Sequence, residues 1–473
     1  MVTTKQIRDA ILHSSLETSN DGTEPTLGTL YVPPSHLKAL KLEASVVIGG
    51  RGVGKSFWTA ALKSLELRKT IGPDIRELDE LSIHVGFSNA PSLDYPQEDS
   101  FAQMLNQGYD SYDIWRAVIL RWVANGNNAS TSIPSNTWQE TIEWLKEKPE
   151  EPSKLMLEPR SWKGLVLFDA LDRTSKDWQQ MDDIVRGLLK AILWLKPYTG
   201  LYGKVFLRDD QAERTVFNFP DASKLKATKA ELTWARHDLH GLLWQRLINT
   251  PEEHGTILRS LLENISNHKI TEVSGVWQLP DDMKRETELQ RKAFEILAGP
   301  WMGKDRRRGV PYTWSVNHLS DGRGQASPRS FLSAIKQATE DSLNRYPEHD
   351  TAIHYESIKR GIQNASEIRV DELAEDYPWI KSVLEPLSGV NVPCEYSTLL
   401  ENWNQKFPKG PSEIEESDRL PAQHVERGWD GITQDLQRLG LLETKKDGRI
   451  DMPDLFRVGF QLGRRGGVKP KSQ

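Results

Sequence analysis

Hydrophobic positions along the chain alternate between short apolar runs and stripes at helical spacing. The runs at residues 45–48, 165–168 and 204–207 are three or four residues long, as is typical of strands buried in a parallel sheet. After the second run, apolar residues recur every three or four positions at Trp178, Met181, Ile184, Val185, Leu188, Ile192 and Leu195. Strand and helix therefore alternate, and this pattern predicts an α/β fold with a parallel sheet.

The first apolar run leads into a glycine-rich segment, GGRGVGKS at residues 49–56. The spacing G-x-x-x-x-G-K-S is typical of a P-loop, in which backbone N–H groups wrap phosphates at a helix N-terminus. Lys55 would reach the β- and γ-phosphates, and the Ser56 hydroxyl would bind Mg²⁺. The alternative is a glycine-rich turn with an ordinary surface lysine. We predict a nucleotide site made of Gly49, Gly50, Arg51, Gly52, Val53, Gly54, Lys55, Ser56 and Phe57.

Carboxylates follow the second apolar run in the sequence FDALDR. A P-loop needs a carboxylate at the end of a neighbouring strand to hold the water shell of the metal, and Asp169 is in that place. Asp172 is the nearest acid that could polarise the attacking water, so we predict that it is catalytic. The alternative for Asp172 is a helix cap or an ion pair with Arg173.

The third apolar run ends in Arg208, Asp209 and Asp210. Polar residues at the carboxyl end of a parallel strand face the ligand crevice of such a sheet. Arg208 could therefore sense the γ-phosphate, although a surface position explains it equally well.

In their order, these segments and FPDASKL, ELTW and HDLHGLLWQRL resemble the AAA+-related STAND and KAP-like P-loop ATPases of bacteria. The resemblance covers roughly residues 25–345. It implies an AAA+/STAND-like P-loop NTPase core with an α-helical lid. KAP-type ATPases have a second Asp where this chain has Ala170, and this difference shifts the catalytic prediction to Asp172.

The resemblance also implies a second arginine that senses the nucleotide. Ser327 and Pro328 predict a helix start, as N-cap and first helical residue, and Arg329 follows them. AAA+ lids commonly carry a sensor-2 arginine at this place, so Arg329 is our candidate; the alternative is a pair with a surface acid. The basic run at residues 304–308 could supply an arginine finger to a neighbouring subunit or contact a phosphate backbone, or could be a solvated loop.

The pattern near the C-terminus predicts a helix over residues 429–439 and two short strands around a KKDG turn. A helix followed by a hairpin resembles a winged helix, a fold that binds DNA or protein. The last residues carry Arg457, Arg464, Arg465, Lys469 and Lys471 without an acid. Such a basic tail would suit phosphate contacts, and a disordered solubilising tail explains it as well.

We expect five segments in chain order. They are an N-terminal segment (1–45), a P-loop ATPase core (46–245) with an insertion at about 90–160, a helical lid with Arg329 (246–345), a helical linker (346–380) and a winged-helix-like domain with the basic tail (381–473).

Composition narrows the functional classes. The 473 residues carry a net charge of −6, from 61 Lys and Arg against 67 Asp and Glu, which argues against indiscriminate coating of nucleic acid. No apolar run is long enough to cross a bilayer and no signal peptide is visible, so we expect a cytoplasmic protein without membrane contact. The single Cys394 makes neither an internal disulfide nor a zinc site.

These observations predict an ATP- and Mg²⁺-dependent ATPase that works as a switch for a partner or effector. The segment at residues 444–447 is the only match to a guanine-specificity element, and it lies in the C-terminal domain, so ATP is preferred. The resemblance implies bacterial antiviral defence, with the effector on another polypeptide, and a homo-oligomer whose sites are completed by a neighbour. Two alternatives stay open, namely a DNA-binding ATPase of the initiator or transposition-regulator type and a nucleotide-binding scaffold that does not hydrolyse.

Overall fold

The computed structural model describes residues 2–16, 24–72, 75, 77–127, 133–175, 177–212, 215–285, 287–414 and 420–471. The chain divides into two compact units. The sheet unit is His36–Leu232, and the helical unit combines Met1–Ser35 with Thr233–Gln473. The first helix, α1 (Thr4–Leu12), belongs to the helical unit.

In the described part of the chain, five parallel strands form the sheet, in the order β2-β3-β4-β1-β5. The strands are β1 (Val46–Ile48), β2 (Ser82–Phe87), β3 (Gly164–Phe168), β4 (Leu201–Leu207) and β5 (Ala230–Glu231). All residues of β1 and β3 are buried, as their continuous apolar runs predict. The parallel sheet and the glycine loop after β1 confirm the predicted α/β P-loop core.

Ten helices of the described residues belong to the sheet unit. They are α2 (Leu37–Leu40), α3 (Lys55–Lys63), α4 (Leu65–Ile71), α5 (Glu98–Asn106), α6 (Ser111–Asn127), α7 (Trp138–Glu147), α8 (Glu151–Leu157), α9 (Trp178–Leu195), α10 (Asp209–Ala212) and α11 (Ser223–Lys226). The sequence after the glycine loop predicts one continuous helix, but the structure divides it at Ser64 into α3 and α4. The Ser64 hydroxyl caps the second helix by accepting from the Leu67 N–H at 3.4 Å.

An aromatic cluster anchors α6 on the sheet. Trp115 is fully buried and packs its ring against Phe87 of β2, Phe101 of α5 and Phe168 of β3. Its indole N–H donates to the carbonyl of Ile184 in α9 at 3.0 Å. Because one side chain joins two strands and two further helices, the residues between β2 and β3 are part of the core of this unit.

The strand β2 is a feature that our sequence analysis missed. It pairs with β3 and, within the described sheet, lies at one edge. The alternation of Ile83, Val85 and Phe87 is the period of two that could have indicated it. Because β2 is partly exposed, it lacks the continuous apolar run that is present in β1 and β3.

The helical unit packs long helices around α16 and α17. Its further helices are α12 (Arg236–Ile248), α13 (Glu252–Ser266), α14 (Glu288–Ala298), α15 (Pro311–His318), α16 (Pro328–Arg345), α17 (Tyr355–Asp376), α18 (Pro378–Leu384), α19 (Tyr396–Lys406), α20 (Gly428–Arg438) and α21 (Asp454–Arg457). A small hairpin, β6 (Thr271–Val273) with β7 (Val276–Gln278), follows α13. Gly361 allows close approach of α17 to α16, because an added Cβ would lie 2.2 Å from the Ala334 carbonyl oxygen.

The end of the chain has the predicted winged-helix-like form. Helices α19 and α20 precede a hairpin of β8 (Glu443–Thr444) and β9 (Ile450–Asp451). The backbone of Cys394 exchanges two hydrogen bonds with Ile450, at 2.9 and 2.8 Å, and adds a third short segment to the hairpin. The half-buried Cys394 thus has a structural position, and burial raises the pKa of its thiol.

Candidate functional site at the carboxyl edge of the sheet

The glycine loop links the end of β1 to the start of α3. Gly52 and Gly54 have φ angles of 77° and 108°, a left-handed conformation that side chains disfavour. Gly50 faces a neighbouring strand end, where an added Cβ would lie 3.3 Å from a carboxylate oxygen of Asp209. The backbone conformation therefore favours glycine at positions 52 and 54, and the loop presents backbone N–H groups at the N-terminus of a helix.

Lys55 folds back over this loop. Its ammonium group donates to the carbonyl oxygens of Gly49 and Gly50, both at 2.7 Å. Burial lowers the pKa of Lys55, and the nearby Arg208 lowers it further, whereas the carboxylates of Asp169, Asp209 and Asp172 raise it. The Lys55 ammonium is thus bound by two neutral carbonyl oxygens. An anionic acceptor such as a phosphate oxygen would form a stronger hydrogen bond with it.

Asp169 follows β3 and is buried, with 5% of its surface exposed. Its carboxylate accepts from the Thr59 hydroxyl at 3.3 Å. Burial raises the pKa of Asp169, and the Ala170 backbone N–H, the Lys55 charge and the nearby Ser56 hydroxyl oppose the rise. The two groups predicted for Mg²⁺, the Ser56 hydroxyl and the Asp169 carboxylate, therefore lie near each other.

Asp172 lies in the turn after Asp169. Ala170 has a left-handed backbone (φ 56°, ψ 34°), and a short 3₁₀ turn over Leu171–Arg173 follows it. Arg208, at the end of β4, donates to Asp172 at 3.4 Å and to both carboxylate oxygens of Asp210, at 3.2 and 3.4 Å. Asp172 is thus in an ion pair, but the partner that the structure shows is Arg208 and not the Arg173 of the sequence alternative.

The sheet order explains why these residues meet. Because β4 lies between β1 and β3, the carboxyl ends of the three strands are neighbours. This edge, called the carboxyl edge below, consists of residues 49–56, 59, 169–172 and 208–209. Thr59 and Asp209 belong to it and were not among the predicted residues. Thr59 lies one helical turn after Ser56, and this spacing is the signal that could have indicated it.

Arg329 and the basic loop belong to the helical unit. Ser327 caps α16 and Pro328 is its first residue, as predicted. The guanidinium of Arg329 donates to Glu372 at 2.6 Å, and Arg369 contacts the second oxygen of the same carboxylate at 3.1 Å. In the basic loop at residues 304–308, Arg307 pairs with Asp305 at 2.8 Å, and the arginines of this loop are exposed.

The basic tail folds onto the C-terminal module. Arg457 is fully buried and donates to Asp454 and to the carbonyl of Leu462, both at 2.8 Å, and to the carbonyl of Val468. Arg464 contacts Asp451 and also Asp454, the latter at 2.9 Å. We call Asp451, Asp454, Arg457 and Arg464 the tail network. It accounts for two of the five cations that the sequence offers for phosphate contacts.

The remaining tail cations are divided. Lys471 pairs with Glu367 at 2.6 Å, whereas Arg465 and Lys469 are exposed. On the hairpin, Lys445 contacts Glu443 and also Asp451, the latter at 3.0 Å, and Lys446 is exposed. Among the described residues, no helix has the length and apolar character that a bilayer crossing requires.

No protein-family model matches this chain, and no curated protein matches it. The ORC2 protein of Aeropyrum pernix, in ADPNP-ADP complexes, is 12% identical over 90% of this chain and 92% of its own, with a TM-score of 0.41. The ORC1 protein of Aeropyrum pernix, in complex with DNA, is 13% identical over 94% and 93%, with a TM-score of 0.38. A Walker-type ATPase of Pyrococcus abyssi is 12% identical over 91% and 98%, with a TM-score of 0.34.

These scores are low, so the fold assignment rests on the strand order and the glycine loop described above. The STAND or KAP-like family stays a prediction.

Proposed function

We propose that the chain binds ATP with Mg²⁺ at the carboxyl edge, hydrolyses it and uses the nucleotide state as a switch. The observation that carries this proposal is the meeting of two groups at one edge of the sheet. Lys55 folds over the glycine loop, and the buried Asp169 carboxylate accepts from Thr59, one helical turn after Ser56. Hydroxyl and carboxylate oxygens are the hard ligands that Mg²⁺ prefers. A half-buried lysine next to a glycine loop adds the positive charge that phosphates need.

Two kinds of group in the chain would bind the phosphates directly. The loop N–H groups donate to phosphate oxygens, and the charged Lys55 would exchange the Gly49 and Gly50 carbonyls for an anionic acceptor. Mg²⁺, bound by Ser56 and through water by Asp169, would supply charge neutralisation at the β- and γ-phosphates.

Asp172 is the candidate general base for the attacking water. It lies at the same edge and its side chain is 29% exposed, so water can reach it. Arg208 holds one of its oxygens and acts electrostatically on Lys55, so it connects the carboxylate with the charge at the loop. Arg208 is thus a positioning residue for Asp172 and a candidate sensor of the γ-phosphate.

Phosphate release from ATP tests this proposal, with Asp172→Asn compared with Asp210→Asn. Arg208 contacts both carboxylates, so both variants weaken its hold. If Asp172 is the base, Asp172→Asn lowers turnover about 100-fold or more while ATP affinity stays within a few-fold. Asp210→Asn should keep most of the turnover. Equal losses would mean that the position of Arg208 is what matters.

If the chain binds ATP through Lys55 but releases no phosphate, it is a nucleotide-binding scaffold that does not hydrolyse ATP. In that case Asp172→Asn has no turnover to change.

DNA binding is our candidate for the output of the switch. The observation that favours it is the winged-helix-like arrangement of α20 and the hairpin, with Arg427, Gln434 and Lys446 on its exposed surface. A helix of this kind can enter a major groove while the hairpin contacts phosphates. The tail network leaves fewer free cations than the sequence predicts, so moderate, salt-dependent affinity is expected.

Fluorescence anisotropy with duplex DNA, with and without ATP and across a salt series, tests this output. Salt-sensitive binding that changes with nucleotide supports a DNA-binding switch of the initiator type. If no binding is found, the output is a protein effector, the case for which the STAND and KAP-like resemblance implies antiviral defence.

Two further roles belong to the same proposal. Arg329 would release Glu372 to complement the triphosphate charge, and an arginine of the basic loop at 304–308 would act on the site of a neighbouring subunit. Turnover per molecule that rises with protein concentration, and that falls in Arg308→Ala, would support the shared site. Turnover independent of concentration would contradict it.

A further inference from the structure

Three side chains that commonly bind metal ions meet at the end of α1. Asp9 and His13 lie four residues apart and share one face, because this spacing corresponds to about one helical turn. His254 lies in the first turn of α13, which packs against α1. One potential ligand atom of each residue lies within 4.8 Å of the others.

The two imidazole rings are held side by side next to the carboxylate. Their centroids lie 4.1 Å apart with the planes 9° from parallel. The Nδ1 atom of His13 is 3.6 Å from one oxygen of Asp9, and Nδ1 of His254 is 3.9 Å from the other. These separations are longer than a good hydrogen bond, so the three side chains lie close together without being bonded to one another.

The hydrogen-bond pattern leaves lone pairs for a ligand. His13 Nδ1 lies 2.9 Å from the backbone carbonyl oxygen of Asp9, so it carries the proton and donates, and Nε2 keeps its lone pair. Imidazoles that bind metals usually donate their other N–H to such a partner. Among the described residues, the buried Nδ1 of His254 has no hydrogen-bond partner.

The backbone that carries Asp9 and His13 is held in place independently of this cluster. Arg8, fully buried, donates to the carbonyl oxygens of Ala352 at 2.9 Å and Pro347 at 3.0 Å, and to two more backbone carbonyls. Arg246 donates to the carbonyl of Ser15 at 2.6 Å. The side chains thus start from a rigid frame, and only the exposed Asp9 and His13 need to rotate to close the site.

We infer that Asp9, His13 and His254 form a binding site for a divalent transition metal ion such as Zn²⁺. Two imidazoles and a carboxylate favour Zn²⁺ and its neighbours over Mg²⁺ and Ca²⁺, which prefer oxygen ligands only. Three protein ligands leave a fourth position for water. The ion would join α1 to α13, and this site is independent of the proposed nucleotide site.

Zinc titration of the full chain against a chromophoric chelator tests the site. The protein is first stripped of metal and then kept in excess Mg²⁺ and ATP, so that zinc does not bind at the carboxyl edge. Wild type should bind one equivalent of Zn²⁺. His254→Gln, His13→Gln and Asp9→Asn should each weaken that binding about 10- to 100-fold, without a change in the circular dichroism spectrum.

His268→Gln is the matched control. His268 is 61% exposed and lies 3.8 Å from Asp282, so it is a histidine beside a single carboxylate without a second imidazole. Its loss should leave the zinc affinity unchanged. The site is refuted if wild type binds zinc no more tightly than His254→Gln, or if His268→Gln has the same effect as the cluster variants.

Thermal unfolding gives a second readout that does not depend on the chelator. Zinc should raise the melting temperature of wild type and of His268→Gln, because a ligand that binds only the folded state stabilises it. The melting temperature of His254→Gln should not rise. A rise of equal size in all three proteins would also refute the site.

Discussion

Charged side chains gather both at the carboxyl edge and in the tail network, and the two clusters are built differently. At the carboxyl edge, Arg208 lies 3.4 Å from Asp172, which is 29% exposed. In the tail network, Arg457 is fully buried and lies 2.8 Å from Asp454, which is 4% exposed. Of these two ion pairs, the one at the carboxyl edge is longer and more accessible, and the one in the tail network is shorter and enclosed.

The difference shows that charged residues with similar sequence patterns can serve either ligand binding or the stability of the fold. A group that binds a ligand must be able to change partners, so contacts of moderate length near solvent suit it. A buried guanidinium cannot leave its partners without exposing an uncompensated charge, so it serves the fold. Basic residues in a sequence therefore do not predict phosphate binding until their partners are known.

The largest expected effect is on stability, in Arg457→Met. Removing the guanidinium leaves the Asp454 charge and two backbone carbonyls buried with fewer partners, and this should cost about 3–5 kcal/mol. Urea unfolding measures the loss, and the stacked rings of Trp403 and Trp429 offer a fluorescence signal in the same module.

Arg465→Ala is the control for this variant, because the side chain is exposed and belongs to the same tail. Its cost should stay within about 0.5 kcal/mol. If Arg457→Met and Arg465→Ala unfolded at the same urea concentration, the tail network would not contribute to the stability of the fold.

Lys55→Ala should affect turnover and leave stability nearly unchanged. Loss of the ammonium group removes charge from the phosphates in the transition state, and ATP turnover should fall about 100- to 1000-fold. The two glycine carbonyls that it now contacts lie in a loop at the edge of the sheet, so the cost to folding is small. Phosphate release and thermal unfolding measure the two effects.

Lys63→Ala provides the comparison, since Lys63 is exposed in the last turn of the same helix. Turnover that falls alike in both variants would argue against a nucleotide role for Lys55.

Asp169→Asn should raise stability by about 1 kcal/mol at neutral pH while it lowers turnover. Burial raises the pKa of Asp169, so the folded protein holds this proton more tightly than the unfolded chain does. The contribution of the carboxyl group to stability is therefore lost as the pH rises.

The gain in Asp169→Asn should accordingly shrink as the pH falls toward 4. Urea unfolding at pH 7.5 and pH 4.5 measures it in both proteins. If the stability gain of Asp169→Asn were larger at pH 4.5 than at pH 7.5, the prediction would be wrong.

The smallest effect is expected at the hairpin, in Lys446→Ala. If this exposed lysine contacts a DNA phosphate, its loss should weaken binding a few-fold and lower the salt slope by about one. Anisotropy across a salt series measures both quantities. Lys469→Ala, in the tail, should change them less, and an unchanged slope in Lys446→Ala would place any DNA contact elsewhere.

The local sequence pattern was sufficient to predict those features that depend only on residues close together in the sequence. The glycine loop, the buried strands β1 and β3 and the cap at Ser327 could be predicted, because a φ angle, an apolar run and a capping hydroxyl depend on a few consecutive residues. The predicted α/β core and winged-helix-like end follow from the same signals.

The partners of the charged residues could not be read in the same way. Asp172 and Arg208 are far apart in sequence, and they meet because β4 lies beside β3 in the sheet. The edge strand β2, the Arg457 contacts in the tail and the meeting of Asp9 with His254 likewise depend on pairing between distant segments. A sequence states which groups carry charge, but the free energy of each group depends on burial and on partners that packing alone brings together.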